Sequence, residues 1–447
     1  MTNTAASALP LAAVLPITAG VSAAGHLSLG GCDVRALADE YGTPLYVYDV
    51  ATLRAQAAAF LRSFRDVYPD CDVLYGSKAF LNRPFARFIA DQGLGFDAVS
   101  GGEIEVLRAA GVDLSTVYLH GNNKAPWELA LAATAGVGRV VIDNEGEVPL
   151  LDRVAGEAGV RQRVLVRVSP GIDAHTHRKT TTGIIDSKFG VPIVTGAAER
   201  TVAAIAAASN LEFRGLHMHL GSPIFETQPY VEGIEVMAQF IADVCRDRLS
   251  LDVPEFSPGG GFAVAYNEEQ QAELPMIERY ASAVATTLRR EADRLGFPLP
   301  HITLEPGRAI VARAGVAVYT VGARKEIPGV RTYVSVDGGM ADNIRPAMYG
   351  AKYQAVAAER PRAPFEETVA IAGKYCESGD VLIESARLPR LHADELLAIP
   401  ASGAYQLAME SNYNLAYRPA VVMVEDGRAR LIRRRQTAED LWALDVD

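Results

Sequence analysis

The sequence predicts an α/β fold, a (β/α)8 TIM-like barrel plus a C-terminal β domain of sandwich or barrel type. Three observations lead there. From about residue 50, apolar strand-like runs alternate with amphipathic helical runs. The alternation repeats about eight times over roughly 250 residues, the tally that closes a barrel, whereas alternation alone would also fit an open doubly wound sheet. After about residue 310 the helical period gives way to short β-rich runs separated by turn residues.

In chain order, "VLYGSKA" (73–79), "FDAVS" (96–100), "TVYLHG" (116–121) and "RVVID" (139–143) read as the first four barrel strands. "RVLVRVS" (163–169), "EFRGLHMHLG" (212–221), "EFSPGGG" (255–261) and "HITLEPG" (301–307) complete the set, with helical runs such as "MIERYASAVATTLRREADRLG" between them. The β-rich remainder includes "AGVAVYTVGARKE", "RTYVSVDGG", "ETVAIAGKYC", "DVLIESARL" and "AVVMVEDGRARLIRR". In the last of these, "EDGR" reads as a hairpin turn in which Gly supplies a positive φ. "PLYVYD" (44–49) is expected to join that domain from the N-terminal side. The expected division is 1–50 as a tail and strands joining the β domain, 51–308 as the barrel and 309–447 as the β domain. "RLIRRR" (430–435) reads as a solvated strand face.

Composition narrows the function. Hydrophobic residues make up 49% of the 447 and the net charge is −11, so neither nucleic acid nor an anionic membrane has electrostatic support as a partner. Cys32, Cys71, Cys245 and Cys376 are scattered with no CxxC pair, which points to a reducing, cytoplasmic setting rather than a disulfide framework. The apolar N-terminus has no Lys or Arg before Arg35 and carries Pro10 and Pro16. It reads as a loosely ordered tail rather than a signal peptide. No run reaches a transmembrane length.

In such barrels function gathers at the C-terminal strand ends. Those ends offer Lys78, then His217 and His219 in "HMHLGS", then Gly259, Gly260 and Gly261, then Glu305 with Arg308. Each has an ordinary reading: a surface charge, a loop, a structural ion pair. Lys78, directly after an apolar strand, is expected to be buried and therefore nucleophilic. Together the residues meet the needs of pyridoxal 5'-phosphate: a lysine for the aldehyde, glycine N–H groups and an arginine for phosphate, a flat ring for stacking and a carboxylate for the pyridine nitrogen. Two histidines at i and i+2 on a strand would face one way and raise the question of a metal. With no third or fourth ligand evident nearby, and with "HTH" (175–177) in a separate polar loop, no metal site is expected.

The motifs "YGSKAF", "GFDAVSGGEIEVLRAAG", "HGNNK", "DSKFG", "HMHLGS", "SPGGGF", "EPGR", "VDGGMADNIRPAMYGA", "GKYCESGD" and "GAYQLAMESNYN" resemble the diaminopimelate decarboxylase family in order and spacing. The likeness runs from about residue 25 to about residue 435. It implies a fold-type III pyridoxal-phosphate enzyme, a homodimer with active sites at the subunit interface. It further implies that Lys78 carries the cofactor as a Schiff base, His219 stacks on its ring, and Ser222, Gly260 and Gly261 hold its phosphate. Glu305 is then the partner of the pyridine nitrogen, and Gly307 and Arg308 line the phosphate and substrate side. Arg345 and Tyr349 bind substrate carboxylate, Cys376 donates a proton, Glu377 binds the distal amino-acid end, and Tyr413 touches phosphate and substrate. Cys376 departs from the inert buried default because it lies between Tyr375 and Glu377, just before the turn-forming "SGD".

The implied reaction is decarboxylation of meso-2,6-diaminopimelate at its D centre to L-lysine and carbon dioxide, the last step of lysine biosynthesis. A related decarboxylase of ornithine or carboxynorspermidine would share the cofactor set but need another distal pocket. Alanine racemases place an arginine at the pyridine nitrogen, where this sequence has Glu305. A non-catalytic relative would have no need of both Lys78 and Cys376.

Overall fold

The computed structural model describes residues 9–174, 182–184 and 186–446, which leaves His175 and His177 of the second HxH pair outside the described residues. The chain divides into two compact units. One of them, Ala57–Ala263 with Pro275–Gly307, is the barrel. Its strands are β1 (Cys71–Gly76), β2 (Gly95–Ala98), β3 (Val117–Leu119), β4 (Arg139–Ile142), β5 (Gln162–Ser169), β6 (Leu211–His217), β7 (Glu255–Gly259) and β8 (His301–Leu304). Each pairs in parallel with the next and β8 pairs with β1, so the eight-stranded sheet closes without an edge, as the sequence predicts.

Helices cover the outside of such a sheet and side chains fill its inside, so the strands read as continuous apolar runs. In β5 residues Val164, Leu165, Val166 and Val168 are all buried. Inside the barrel, Leu74, Tyr118, Val141 and Leu165 pack as one small cluster. Near the C-terminal strand ends polar residues take over: Asp97, His217, Ser257 and Thr303 are equally buried. Burying polar atoms is tolerated only where they find partners, so this layer marks the functional end.

The loop after β7 is held from behind by an aromatic group. Phe262 packs against Phe60, Tyr230 and Tyr280, and the Tyr230 hydroxyl donates to the Gly260 carbonyl at 2.7 Å. Met218, buried in the middle of "HMHLGS", packs instead against Gly233 of the helix Gln228–Phe240.

The other unit comprises the described residues up to Gln56, Val264–Leu274, and the chain from Arg308 onward. Its organising strand is Leu45–Asp49, paired antiparallel with Gly315–Ile327 and parallel with Ala420–Glu425, so "PLYVYD" joins the β domain as expected. The long strand Gly315–Ile327 pairs with Leu396–Ile399 along its first half. From Val321 onward, with a register break between Val321 and Arg324, it pairs with Arg331–Val336, which carries the sheet on to Glu367–Ala372 and Val381–Leu388. The "EDGR" hairpin turns on Asp426 and Gly427, both at positive φ, the two-residue geometry that suits twisted strands.

Two expectations are corrected here. The N-terminal segment is not a loose tail from Leu9 onward: Leu9, Leu11, Val14 and Leu15 join the core of the β unit, where apolar burial outweighs the lack of regular structure. "RLIRRR" is not simply a solvated face. Arg433 makes a two-pronged bond to the shielded Glu410, and Arg435 donates to the Pro44 carbonyl at 2.7 Å.

Candidate active site

Lys78 lies in a single helical turn, Ser77–Ala79, directly after β1. Its side chain is 45% exposed, against the expectation of burial, and its Nζ lies 3.2 Å from the Oδ2 of Asp97 at the end of β2. The reason is that the strand ends at Gly76, before Lys78, so the lysine starts the loop rather than finishing the barrel interior. A buried carboxylate, not burial of the amine, is what the structure places beside it.

Glu305 follows β8 and is buried. His217 Nε2 lies 3.0 Å from its Oε2, and the Ser257 hydroxyl donates to its Oε1 at 2.9 Å. Burial alone would raise its pKa, but its hydrogen bond and electrostatic attraction with His217 hold the carboxyl below the ordinary value, so it is ionised at neutral pH. His120, the residue directly after β3, brings its Nε2 within 3.5 Å of Glu305 Oε1 and 3.8 Å of Asp97 Oδ1. Burial pushes its pKa well below the usual histidine range, leaving a neutral ring.

The histidine pair separates. β6 ends at His217, so the alternation that would align it with His219 stops there. His219 is only partly covered, and its Nδ1 accepts a hydrogen bond from the Gly260 N–H at 3.2 Å. Burial together with the charges of Arg167 and Lys78 keeps its pKa well below the usual range. A neutral, edge-anchored ring is suited to stacking. The structure does supply His217 with companions that sequence spacing did not show: His120, His217 and Glu305 bring ligand-type atoms within 4.8 Å of one another.

The glycine turn is obligatory. A Cβ on Gly260 would lie 2.1 Å from the Glu305 carbonyl oxygen. Gly261 has φ +96° and a Cβ there would lie 2.2 Å from the Gly221 carbonyl oxygen. Backbone packed this closely against its neighbours forms a cradle with no side chain in the way, which fits a phosphate group. Ser222 is partly exposed just past Gly221, and the Gly76 N–H donates to the Pro306 carbonyl next to Gly307 at 3.3 Å, tying the Lys78 and Glu305 turns together.

Motifs without an assigned role form a charged belt in the same unit. Lys124 of "HGNNK" is buried and donates to Glu147 Oε1 at 2.6 Å and to the Val141 carbonyl at 2.7 Å. Burial drives the lysine's pKa down and the glutamate's up, so each depends on the other for its charge. Asp143 accepts from the Gly190 N–H at 3.1 Å, and Arg167 lies 4.5 Å over the Phe189 ring, fixing "DSKFG" to the strand ends.

In the β unit, Arg308 and Arg345 are both buried around the same tyrosines. The Arg308 guanidinium bonds the Tyr266 hydroxyl at 2.5 Å and lies 4.8 Å over Tyr405. Arg345 faces Tyr266 at 5.5 Å, Tyr405 at 5.6 Å and Tyr349 at 5.8 Å, and its buried Nε has no hydrogen-bond partner. Burial raises the pKa of Tyr266, but the two arginines more than reverse this, leaving it lowered. Concentrated cation with an unmet donor is a receptor for an anion.

A second group in that unit carries Cys376, a free and exposed cysteine. Asp380 accepts from the Met340 N–H at 2.6 Å and the Tyr375 N–H at 2.9 Å, pinning the "KYCESGD" loop to "GGMADN". Tyr375 meets Tyr413 edge-on at 6.1 Å, so the Cys376 and Tyr413 segments are neighbours. Glu377 caps its own turn, its Oε1 accepting from Gly379 N–H at 3.3 Å.

Sequence reasoning missed Asp97, His120, Tyr266 and Tyr405. Asp97 and His120 were findable by reading every strand end for polar residues, not only those with striking spacing. Tyr266 and Tyr405 carried no such signal, because they come together only through the fold.

Comparison with known proteins agrees. Residues 52–312 match the model of the pyridoxal-dependent decarboxylase pyridoxal-binding domain. The chain is 44% identical over 422 residues to the diaminopimelate decarboxylase of Bacillus subtilis, covering 94% of this chain and 95% of that protein. It is 39% identical over 452 residues to that of Synechocystis sp., covering 99% and 95%. A crystal structure of diaminopimelate decarboxylase from M. jannaschii in complex with L-lysine superimposes with a TM-score of 0.90 at 30% identity, covering 96% of this chain and 98% of that one. The cofactor is therefore pyridoxal phosphate, and the glycine cradle and the Lys78–Asp97 pair fit it. By these likenesses the chain belongs to the diaminopimelate decarboxylases, within the pyridoxal-dependent decarboxylase family.

Proposed function

We propose that this chain decarboxylates meso-2,6-diaminopimelate to L-lysine and carbon dioxide with pyridoxal phosphate. The observation that carries the reading is the buried Glu305, hydrogen-bonded by Ser257 and held ionised by His217, directly after the strand next to the one that leads into Lys78. When bound, the cofactor supplies an aldehyde for the substrate amine and a conjugated ring that accepts the electron pair left by departing carbon dioxide.

The chain's own residues do the rest. Lys78 holds the aldehyde and Asp97 keeps a carboxylate beside the lysine nitrogen to receive or return its proton. Glu305 keeps the ring nitrogen protonated, and His219 covers the ring face. Ser222, Gly260, Gly261 and Gly307 hold phosphate, with Tyr413 and Arg308 as further contacts. Arg308 and Arg345, cations packed on tyrosine faces, bind anionic groups, and Tyr349 assists Arg345. Cys376 delivers the proton that replaces carbon dioxide on the α-carbon. Glu377 pairs with the far ammonium of the substrate; a substrate lacking one far-end charge leaves a protein charge without its counterpart, which is the source of selectivity.

Tyr413, which meets Tyr375 of the Cys376 segment edge-on, and the following Leu415 and Tyr417 are exposed, which supports a homodimer in which that segment serves the neighbouring subunit. Among the described residues no helix is long and apolar enough to cross a membrane, and the exposed thiol of Cys376 suits a reducing cytoplasm. The test is to incubate purified protein and cofactor with meso-diaminopimelate, its L,L isomer, ornithine and carboxynorspermidine. Carbon dioxide and L-lysine from the meso compound alone support the reading; turnover of ornithine or carboxynorspermidine in preference would replace it.

A further inference from the structure

His120 has no role in the chemistry above, yet its position is unusual. Its Nε2 is fully buried and makes no hydrogen bond, and the same is true of Asp97 Oδ1, the atom it faces at 3.8 Å. On its other side, Glu305 Oε1 stands 3.5 Å away, already bonded to Ser257. The ring packs edge-on against His217 at 4.9 Å. Two complementary buried atoms left unbonded within an ångström of a good contact indicate a bond made in another state of the site, since native proteins rarely leave such atoms unsatisfied.

The ring is neutral, so it carries one N–H. Nε2 is confronted by two carboxylates, and a lone pair there would be repelled by both. The hydrogen therefore sits on Nε2. Both possible acceptors compete for it, and their demand depends on Lys78. With a lysine ammonium 3.2 Å from Asp97 Oδ2, the Asp97 charge is already met. Once the lysine nitrogen loses that charge, Asp97 becomes the needier acceptor.

We propose that His120 is a positioning residue whose Nε2–H, poised between Glu305 and Asp97 and bonded to neither here, closes onto Asp97 when Lys78 loses its charge, coupling the lysine to the carboxylate that sets the ring nitrogen's protonation. This rests on the roles given above to Lys78 and Glu305. The charged and titratable groups facing His120 are Asp97 from β2, Glu305 after β8, His217 from β6, Lys78 after β1 and Arg167 from β5. The closure requires only a sub-ångström tilt of one ring, with no bond broken.

The experiment compares wild type with His120→Gln, which keeps an N–H donor, and His120→Leu, which does not. In cofactor-free protein, nitrogen NMR of labelled histidine is expected to show a neutral His120 ring protonated at Nε2 at pH 7. The Nε2–H proton resonance should move when Lys78→Ala removes the ammonium. In the same cofactor-free protein, the melting-temperature loss caused by His120→Leu should be larger in the Lys78→Ala background than in the wild-type background. In loaded enzyme, His120→Leu should lower kcat by roughly tenfold to a hundredfold, the value of one hydrogen bond to a charged group, with KM little changed. It should also displace the pH profile of the cofactor's visible absorption, and His120→Gln should restore most of both.

A ring protonated at Nδ1, or an Nε2–H resonance indifferent to Lys78→Ala, would overturn the switch without touching the assignment of Lys78. So would a stoichiometric divalent metal lost on His120→Leu, since His120, His217 and Glu305 would then be its ligands. If instead borohydride shows that Lys78 does not hold the cofactor, the underlying reading fails first.

Discussion

At the scale of single residues, the site depends on a few atoms whose partners are specified. Lys78→Ala removes the only amine in the assigned set that can bond the aldehyde, so the yellow protein-bound cofactor and turnover should both vanish, as absorbance and a carbon dioxide assay would show. Cys376→Ala should behave differently. Its loop is pinned by Asp380 through backbone N–H groups, so removing the thiol leaves the loop in place. Turnover should fall by about 10²-fold or more, the usual contribution of a positioned acid, while cofactor binding is kept. Unchanged turnover would remove Cys376 from the reaction. Lys78 was legible because its neighbours in sequence form a strand end. Its exposure was not legible, because the alternating pattern does not say at which residue the strand stops.

Elements show which motifs act through support. The buried Lys124–Glu147 pair joins the ends of β3 and β4, and each charge is costly without the other. Lys124→Met should therefore destabilise the protein by about 3–5 kcal/mol, the usual cost of stranding one buried charge, measured by urea unfolding. A loss under about 1 kcal/mol would place the pair among weak surface contacts. Gly261→Ala should also be strongly destabilising, since φ +96° and the Gly221 carbonyl both oppose a side chain. The sequence made the eight strands, the hairpin at Asp426–Gly427 and the role of "PLYVYD" readable, because each rests on local periodicity or on turn chemistry. The belt from Lys124 to Phe189 was not, because its members are far apart in sequence and carry no spacing rule. The N-terminal residues from Leu9 misled for a related reason. Prolines and the lack of a period read as a tail, whereas tertiary burial of Leu11, Val14 and Leu15 decides their place.

For the molecule as a whole, pH acts through the barrel's far end as well as its active end. His301 opens β8 with Nδ1 2.8 Å from Asp70 and Nε2 3.3 Å from Asp72. The Asp72 hydrogen bond, more than any other contact, raises its pKa to about 9. A raised histidine stabilises the fold fully below its unfolded value near 6.5, and this contribution is lost as pH rises through about 9. Melting temperatures of wild type should thus approach those of His301→Gln between pH 6 and 10, and a constant gap would contradict the ion-pair account. Oligomeric assembly leaves a concentration dependence: if the Cys376 segment serves a neighbour, specific activity should fall with dilution along with the dimer fraction in sedimentation. The central claim is that one lysine, Lys78, joins covalently to pyridoxal phosphate. Borohydride reduction of the loaded enzyme followed by peptide mapping tests it most directly: the account predicts the label on Lys78 alone, and a label on another residue, or no label, would contradict it.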